Sequence, residues 1–258
     1  MKKSFSPHDL DLSVAIPADR WTLHSAYDVP ALYAVADLVH VMTYDYASYH
    51  NGLIGTNAPL WATREEDASK PWAQTVNRSL TALLKLGADP KKTVLGVPFY
   101  GRTFLADSAD RAELGGSCSK DLALAGPITN EQGYLGFMEI CNITLNYARW
   151  EHAWDAERQT PSMKSGKKYV SYDDLKSVRA KAEYASKTGL AGVMVWSIDT
   201  DDFRGACGLL GGGYDTFPLL RTINRVLEEN SGGAKVECGV QRLVGSVLVA
   251  FLAAKLLA

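Results

Sequence analysis

Three short apolar runs separated by helical patterns constrain the fold of this chain most strongly. Residues 38–44 (LVHVMTY), 93–98 (TVLGVP) and 190–197 (LAGVMVWS) are almost continuously apolar rather than alternating. Such runs predict strands that are buried on both faces, as in a parallel sheet. The helical spacing of apolar residues predicts helices before, between and after these strands, at residues 30–36, 72–87, 172–188 and 217–227.

Strands that alternate with helices at this spacing predict an α/β fold around a parallel sheet. A further strand predicted at residues 10–16 (LDLSVAI) extends the rhythm toward the N-terminus. The order of the elements fits a (β/α) barrel and an open doubly wound sheet equally well. Between residues 102 and 170 the alternation of strands and helices is replaced by a Gly-, Ser- and Thr-rich stretch. This stretch is too long for an ordinary loop and predicts a small inserted subdomain.

Charge and cysteine content argue against several classes of protein. A formal net charge of -2 leaves no basic excess for a phosphate backbone, so we do not expect a nucleic-acid partner. The cysteines have no C-x-x-C spacing, and we expect neither a metal nor a cofactor. Six Trp and twelve Tyr offer aromatic faces that suit sugar rings, although most such side chains ordinarily belong to a core.

The two ends of the sequence carry different targeting features. Residues 231–234 (SGGA), a polar spacer at 235–242 and an apolar tail at 243–258 follow the order of a GPI-attachment signal. A spanning helix and an ordinary packed helix are the alternatives, and Lys255 inside the tail argues against a GPI signal. The first residues show no apolar stretch that could direct secretion, so we expect an N-terminal part to be missing. The sequons at Asn77 and Asn142 predict a glycoprotein that is extracellular or anchored at the cell surface.

Three motifs lie on the predicted strands, in chain order. Residues 41–46 (VMTYDY) resemble the M-x-Y-D motif of family-18 chitinases. Residues 95–102 (LGVPFYGR) resemble the G-[IV]-P-x-Y-G-R element, and residues 192–203 (GVMVWSIDTDDF) resemble the G-x-M-x-W-x-x-D-x-D-D-F element. Residues 125–141 resemble the insertion subdomain of many animal chitinases. From about residue 5 to 228, the chain is similar to glycoside hydrolase family 18.

The resemblance implies a partial (β/α)8 TIM barrel, its C-terminal half, with a small α+β insertion. The family's D-x-x-D-x-D-x-E segment on strand four has no counterpart, because residues 6–13 (SPHDLDLS) carry Ser at the first Asp and at the final Glu. Ser13 also lies about 30 residues before Tyr44, whereas two βα units need about 60. We therefore expect barrel strands five to seven at 1–101, the insertion at 102–170, strand eight with its flanking helices at 171–230, and the tail at 231–258.

The resemblance also implies roles for individual residues. Tyr44 and Asp45 would hold the acetamido group of a β-1,4-linked N-acetylglucosamine polymer, whose own carbonyl oxygen attacks during substrate-assisted hydrolysis. Trp196 would form the apolar floor under the sugar. Met42 and Met194 would pack beside Trp196. The loop carboxylates Asp199, Asp201 and Asp202 would be structural.

The same resemblance extends to the neighbouring subsites and to the cysteines. Tyr100 and Arg102 would line the next part of the cleft, with Glu131 pairing Arg102. Cys141 and Cys207 would form a disulfide bond, which implies an oxidising compartment. Cys118 has no assured partner, and Cys238 would leave with a cleaved tail.

Chitin or a chito-oligosaccharide is thus the expected partner, with the membrane as a second partner through the tail. The chain would be the C-terminal portion of a chitinase, and we expect it to be inactive alone because the strand-four acid is absent. A non-catalytic, chitin-binding lectin-like homologue is the alternative. A membrane-tethered fragment with a structural or interaction role is a third possibility.

Overall fold

A parallel sheet forms the centre of the computed structural model, which describes residues 5, 8, 10–69, 73–146, 149–214 and 216–230. Its four strands are β1 (Ser13–Pro17), β2 (Leu38–Met42), β3 (Thr93–Pro98) and β9 (Gly192–Trp196). They lie side by side in the order β1-β2-β3-β9, and every pairing is parallel. The predicted parallel α/β arrangement is confirmed.

The sheet is open rather than closed into a barrel in the part of the chain that the structure describes. Strands β1 and β9 are its edges, and they do not pair with each other. The connections between successive strands contain helices, as parallel pairing requires. The assignment of these strands to the C-terminal half of a barrel stays a prediction.

Seven helices accompany the two sheets of the described residues. Side-chain caps set several of their starts: Asp19, Thr75 and Asp174 each accept a hydrogen bond from a backbone N–H of the first turn. The helices are α1 (Arg20–Ala26), α2 (Val29–Val35), α3 (Arg64–Ser69), α4 (Val76–Lys85), α5 (Phe137–Asn146), α6 (Leu175–Lys187) and α7 (Pro218–Asn230).

The main core lies on one face of the parallel sheet. Ile16, Val41 and Leu95 point to this face and pack with apolar side chains of the helices, such as Leu80 and Val226. Burying these side chains is the principal force that holds the helices to the sheet.

The opposite face of the sheet is more open, which corrects one prediction. On β2, Val39 and Val41 are fully buried, whereas His40 and Met42 are only half-buried. The apolar sequence of β2 predicted burial on both faces, and that prediction is wrong. In the described residues, the helices that pack with Val39 and Val41 leave the side of His40 and Met42 partly open. Burial on both faces is found for β3 instead, all of whose residues are buried.

Residues 100–171, where strands and helices do not alternate, form a second, antiparallel sheet. Its strands are β4 (Tyr100–Leu105), β5 (Tyr134–Gly136), β6 (Glu151–Asp155), β7 (Thr160–Ser165) and β8 (Lys168–Ser171). They lie in the order β5-β4-β8-β7-β6, which explains why no βα alternation is visible in this part of the sequence. Phe99 links the parallel sheet to α5: its N–H donates to the carbonyl oxygen of Trp196, and its own carbonyl oxygen accepts from Phe137 N–H at the start of that helix.

The predicted disulfide bond is confirmed, between Cys141 on α5 and Cys207. It ties the antiparallel region to the loop that precedes α7. Cys118 is buried and forms no disulfide bond with another of the described residues. The predicted GPI-signal-like tail at residues 231–258, including Cys238, lies outside the described residues. Within the described residues, no helix is both long enough and apolar enough to cross a bilayer.

Candidate functional site

Tyr44 and Asp45 directly follow β2, at the carboxyl end of the parallel sheet. Ligand sites of α/β proteins lie at this edge, where the strand-to-helix loops converge. Thr43 donates its hydroxyl to the carbonyl oxygen of Gly96 at 2.6 Å, which ties the end of β2 to β3. Gly96 also makes room for the aromatic ring, because a Cβ there would lie 3.0 Å from Tyr44 Cε1.

The Asp45 carboxylate is held by two donors and remains open to solvent. Its Oδ1 atom accepts from the Tyr100 hydroxyl at 2.6 Å and from Arg102 Nε at 2.7 Å. The Asp45 side chain is 43% exposed. Its backbone is left-handed, with φ of 62°, and its N–H donates to Asn57 Oδ1 at 3.0 Å. Asp45 is therefore fixed from both its main chain and its side chain.

The partner of Arg102 differs from the one we expected. Arg102 forms its ion pair with Asp45, not with the exposed Glu131. Burial lowers the pKa of Arg102, but the hydrogen bond and charge of Asp45 outweigh burial, so the pKa is raised overall. Glu131 adds a smaller, longer-range attraction. The guanidinium therefore contacts the carboxyl edge of the parallel sheet rather than the loop that carries Glu131.

An aromatic cluster supports this ion pair. Tyr100 and Tyr134 are stacked, with ring centroids 4.3 Å apart, and Tyr44 meets Tyr100 edge-on at 6.1 Å. The Arg102 guanidinium lies over both stacked rings, 5.1 Å from the centroid of Tyr100 and 5.7 Å from that of Tyr134. Sequence reasoning missed Tyr134, although it lies within the segment that resembles the insertion.

Burial shifts the pKa values of the phenols in this cluster upward. It raises the pKa of Tyr44 and of Tyr100 well above the ordinary value, and the negative charge of Asp45 raises both further. Burial likewise raises the pKa of Tyr134 to about 12, partly offset by a hydrogen bond with Thr200. All three hydroxyls therefore keep their protons at neutral pH, and that of Tyr100 is already donated to Asp45.

Apolar side chains complete the expected set of residues. Met42 and Met194 pack against the cluster formed by Tyr44, Ala58 and Tyr100. Trp196 ends β9 and is 45% exposed, and β3 pairs with β9 so that Pro98 lies opposite Trp196. An exposed indole at the ligand-binding edge of a sheet offers an apolar surface to a ring-shaped ligand.

A cleft of about 260 Å³ opens beside Tyr44 and Asp45. Sequence reasoning missed three polar residues of its lining, Asp19, Tyr46 and Gln74. Asp19 follows β1 as Asp45 follows β2, and this shared position could have indicated it. Its Oδ2 atom accepts from Gln74 Nε2 at 2.7 Å. Among the described residues, no group of acidic, His or Cys side chains could hold a metal ion.

Two of the carboxylates after β9 serve the loop itself. Asp201 is fully buried and accepts from the backbone N–H of Leu220 at 3.0 Å, at the start of α7. Asp202 is also buried and accepts from Cys207 N–H at 2.6 Å. Asp199 is exposed. The buried pair anchors the loop through backbone hydrogen bonds, as a structural role requires.

The fold and the site together define an α/β protein with an aromatic and charged ligand cleft at the carboxyl ends of its parallel strands. The model of Glycosyl hydrolases family 18 matches residues 1–201. Probable chitinase 2 of Drosophila melanogaster is 37% identical over 246 residues, which cover 87% of this chain and 49% of that relative. The chain belongs to glycosyl hydrolases family 18. It spans about half the length of the curated relatives that it matches.

Solved structures agree with this family. The Group IV chitinase of Ostrinia furnacalis, in complex with allosamidin, has a TM-score of 0.83 at 38% identity, covering 89% of this chain and 60% of that one. Human YKL-39, described as a pseudo-chitinase with retained chitooligosaccharide binding, has a TM-score of 0.79 at 27% identity. That match covers 88% of this chain and 62% of the human one.

Proposed function

We propose that this chain binds β-1,4-linked N-acetylglucosamine oligomers through the acetamido group of one sugar. The observation that carries the proposal is the half-exposed Asp45 carboxylate, held by Tyr100 and Arg102 beside the protonated hydroxyl of Tyr44. An acetamido group has one N–H donor and one carbonyl acceptor. A carboxylate and a phenol side by side complement both groups.

The unused hydrogen-bonding capacity of these two residues supports the assignment. Both side-chain hydrogen bonds of Asp45 go to Oδ1, so Oδ2 makes none with the described residues. The Tyr44 hydroxyl likewise donates to no acceptor among the described residues. Trp196 would supply the apolar floor under the pyranose, with Met42 and Met194 beside it. Tyr100, Arg102 and Glu131 would line the neighbouring subsite.

The proposed architecture is the C-terminal half of a (β/α)8 barrel, in which β1, β2, β3 and β9 are barrel strands five to eight. The barrel would comprise residues 1–101 and 171–230, and the insertion residues 102–170. Residues 231–258 would be a GPI-signal-like or membrane-anchor tail. The Cys141–Cys207 bond supports an oxidising, extracellular location.

Hydrolysis would require an acid that this sequence lacks in the pattern of the family. In substrate-assisted cleavage, a carboxylic acid must protonate the leaving oxygen. Asp45 is already paired with Tyr100 and Arg102, while Asp201 and Asp202 are occupied with backbone groups. We therefore propose that the chain alone binds chito-oligosaccharides without cutting them.

Calorimetric titration of the full chain with an N-acetylglucosamine tetramer tests this function. Asp45→Ala should weaken binding by at least about tenfold, because a hydrogen bond to an ionised group is lost. Glu151→Ala is the matched control, since it removes an exposed carboxylate whose nearest cation, Lys164, lies 3.6 Å away. Absence of binding by the unaltered chain, or equal affinities of the two variants, would contradict the proposal. Release of shorter oligomers by the purified chain would contradict the inactivity.

A further inference from the structure

Asn57 connects the two halves of the site. It lies in the loop between β2 and β3 and is fully buried. Its side-chain Oδ1 accepts from the N–H of Asp45 at 3.0 Å, and its Nδ2 donates to the carbonyl oxygen of Tyr100 at 3.1 Å. One planar amide therefore bridges the end of the parallel sheet and the first residue of the antiparallel sheet.

The main chain of Asn57 is itself anchored. Its N–H donates to Ser171 Oγ at 3.0 Å, and its carbonyl oxygen accepts from Tyr46 N–H at 3.0 Å. Ser171 belongs to β8 and Tyr100 to β4, so Asn57 is held to two strands of the antiparallel sheet, by its main chain and by its side chain. A buried group with this many partners has essentially one orientation available.

The chemistry of the bridge requires an amide. Asp45 has a left-handed backbone, which residues other than glycine seldom adopt, and its N–H points where Asn57 Oδ1 can accept. Tyr100 presents a carbonyl oxygen, which needs a donor. Asparagine offers an acceptor and a donor on one short side chain, whereas alanine offers neither.

We propose that Asn57 is a positioning residue that fixes Asp45 relative to Tyr100 and so sets the preference for N-acetylated over deacetylated sugars. The proposal rests on the proposed function of Asp45. Asn57 itself would touch no ligand and would act through Asp45 and Tyr100. A shift of Asp45 would weaken binding of the acetamido group most, because its N–H and carbonyl oxygen need a correctly oriented acceptor and donor. An ammonium group in its place is attracted by the charge of the carboxylate, which depends much less on orientation.

The test is the ratio of two affinities, measured by calorimetry on the full chain. The ligands are tetramers of N-acetylglucosamine and of glucosamine. We expect the unaltered chain to prefer the acetylated tetramer, and Asn57→Ala to reduce that preference by about tenfold. Thr75→Ala is the control for stability: it removes a buried cap of α4, outside the site, and should leave the ratio unchanged.

A milder variant covers the case in which Asn57→Ala does not fold. Ser171→Ala removes one anchor of the Asn57 backbone without altering Asp45 or Tyr100, and it should lower the same ratio by a smaller factor. No preference in the unaltered chain would defeat the proposed function itself. A preference that persists unchanged in the folded Asn57→Ala variant, or in Ser171→Ala if the former does not fold, would overturn the role of Asn57 alone.

Discussion

Tyr100 donates a hydrogen bond of 2.6 Å to Asp45 across a separation of 55 residues in sequence and between two different sheets. Asp45 follows a strand of the parallel sheet, whereas Tyr100 begins the antiparallel one. The first residue of the antiparallel sheet therefore contacts Asp45 directly. It orients a carboxylate that the parallel sheet presents.

Tyr100→Phe should lower the affinity for the N-acetylglucosamine tetramer by about tenfold, because a hydrogen bond to an ionised carboxylate stabilises by about 1.5–3 kcal/mol. Tyr184→Phe is a suitable control, since that hydroxyl accepts from Asn77 Nδ2 at 3.1 Å outside the site. Isothermal titration calorimetry measures both. Equal losses in the two variants would show that the Tyr100 hydroxyl has no special part in binding.

Gly96→Ala should both displace the ring of Tyr44 and destabilise the fold. The added Cβ would lie 2.5 Å from the carbonyl oxygen of Val41 and 3.0 Å from Tyr44 Cε1. Because a strand backbone cannot easily move aside, we expect the free energy of unfolding to fall by about 2–3 kcal/mol.

Urea unfolding and tetramer binding check this expectation. Gly166→Ala is the matched substitution, because its Cβ would meet nothing within 4 Å and only its left-handed φ of 56° opposes it. That variant should lose about 1 kcal/mol of stability and no affinity. Full affinity in Gly96→Ala would contradict the packing argument.

The sequence predicts elements best where burial is nearly complete. Strand β3 was predicted at residues 93–98 and has these bounds, because its apolar run lies entirely within the core. The helix predicted at 72–87 begins only at Val76, since the side chain of Thr75 caps it. Helix α1 was not predicted, because Leu23 is its only buried residue and gives no periodicity.

The sequence also predicts the candidate site only in part. The resemblance to family 18 was sufficient to place Tyr44, Asp45 and Arg102 along one cleft in expectation. The partner of Arg102 and the bridging role of Asn57 depend on how loops from two sheets meet. No local pattern of residues encodes these distances, so the sequence alone could not supply them.

Loss of the disulfide bond should be costly. It closes a loop with a sequence separation of 66, and replacing Cys141 and Cys207 by Ala should lower the free energy of unfolding by about 4 kcal/mol. Differential scanning calorimetry with and without a thiol reductant measures this effect. The reductant should lower the melting temperature of the unaltered chain and leave that of the double variant unchanged. A reductant-sensitive double variant would indicate that another thiol pair stabilises the fold.

The two sequons should differ in glycosylation if the chain is secreted. Asn142 is exposed on α5, whereas the half-buried Asn77 donates its amide to Tyr184, and Ser79 of the same sequon is buried. We therefore expect a glycan on Asn142 and none on Asn77. After expression in secreting eukaryotic cells, glycosidase treatment should shift the mass of the unaltered chain and of Asn77→Gln, but not of Asn142→Gln. The reverse pattern would contradict the assignment.

Alkaline pH should destabilise the fold through Tyr134. Burial raises the pKa of this phenol from 10.0 to about 12, so the folded state keeps its proton at pH values where the unfolded state has lost it. This contribution to stability is complete below pH 10 and is lost as the pH rises through about 12. Tyr134→Phe keeps the ring that stacks on Tyr100 and removes the titrating hydroxyl. Urea unfolding at several pH values above 9 should give a shallower decline in this variant than in the unaltered chain, and parallel declines would exclude Tyr134 as the cause.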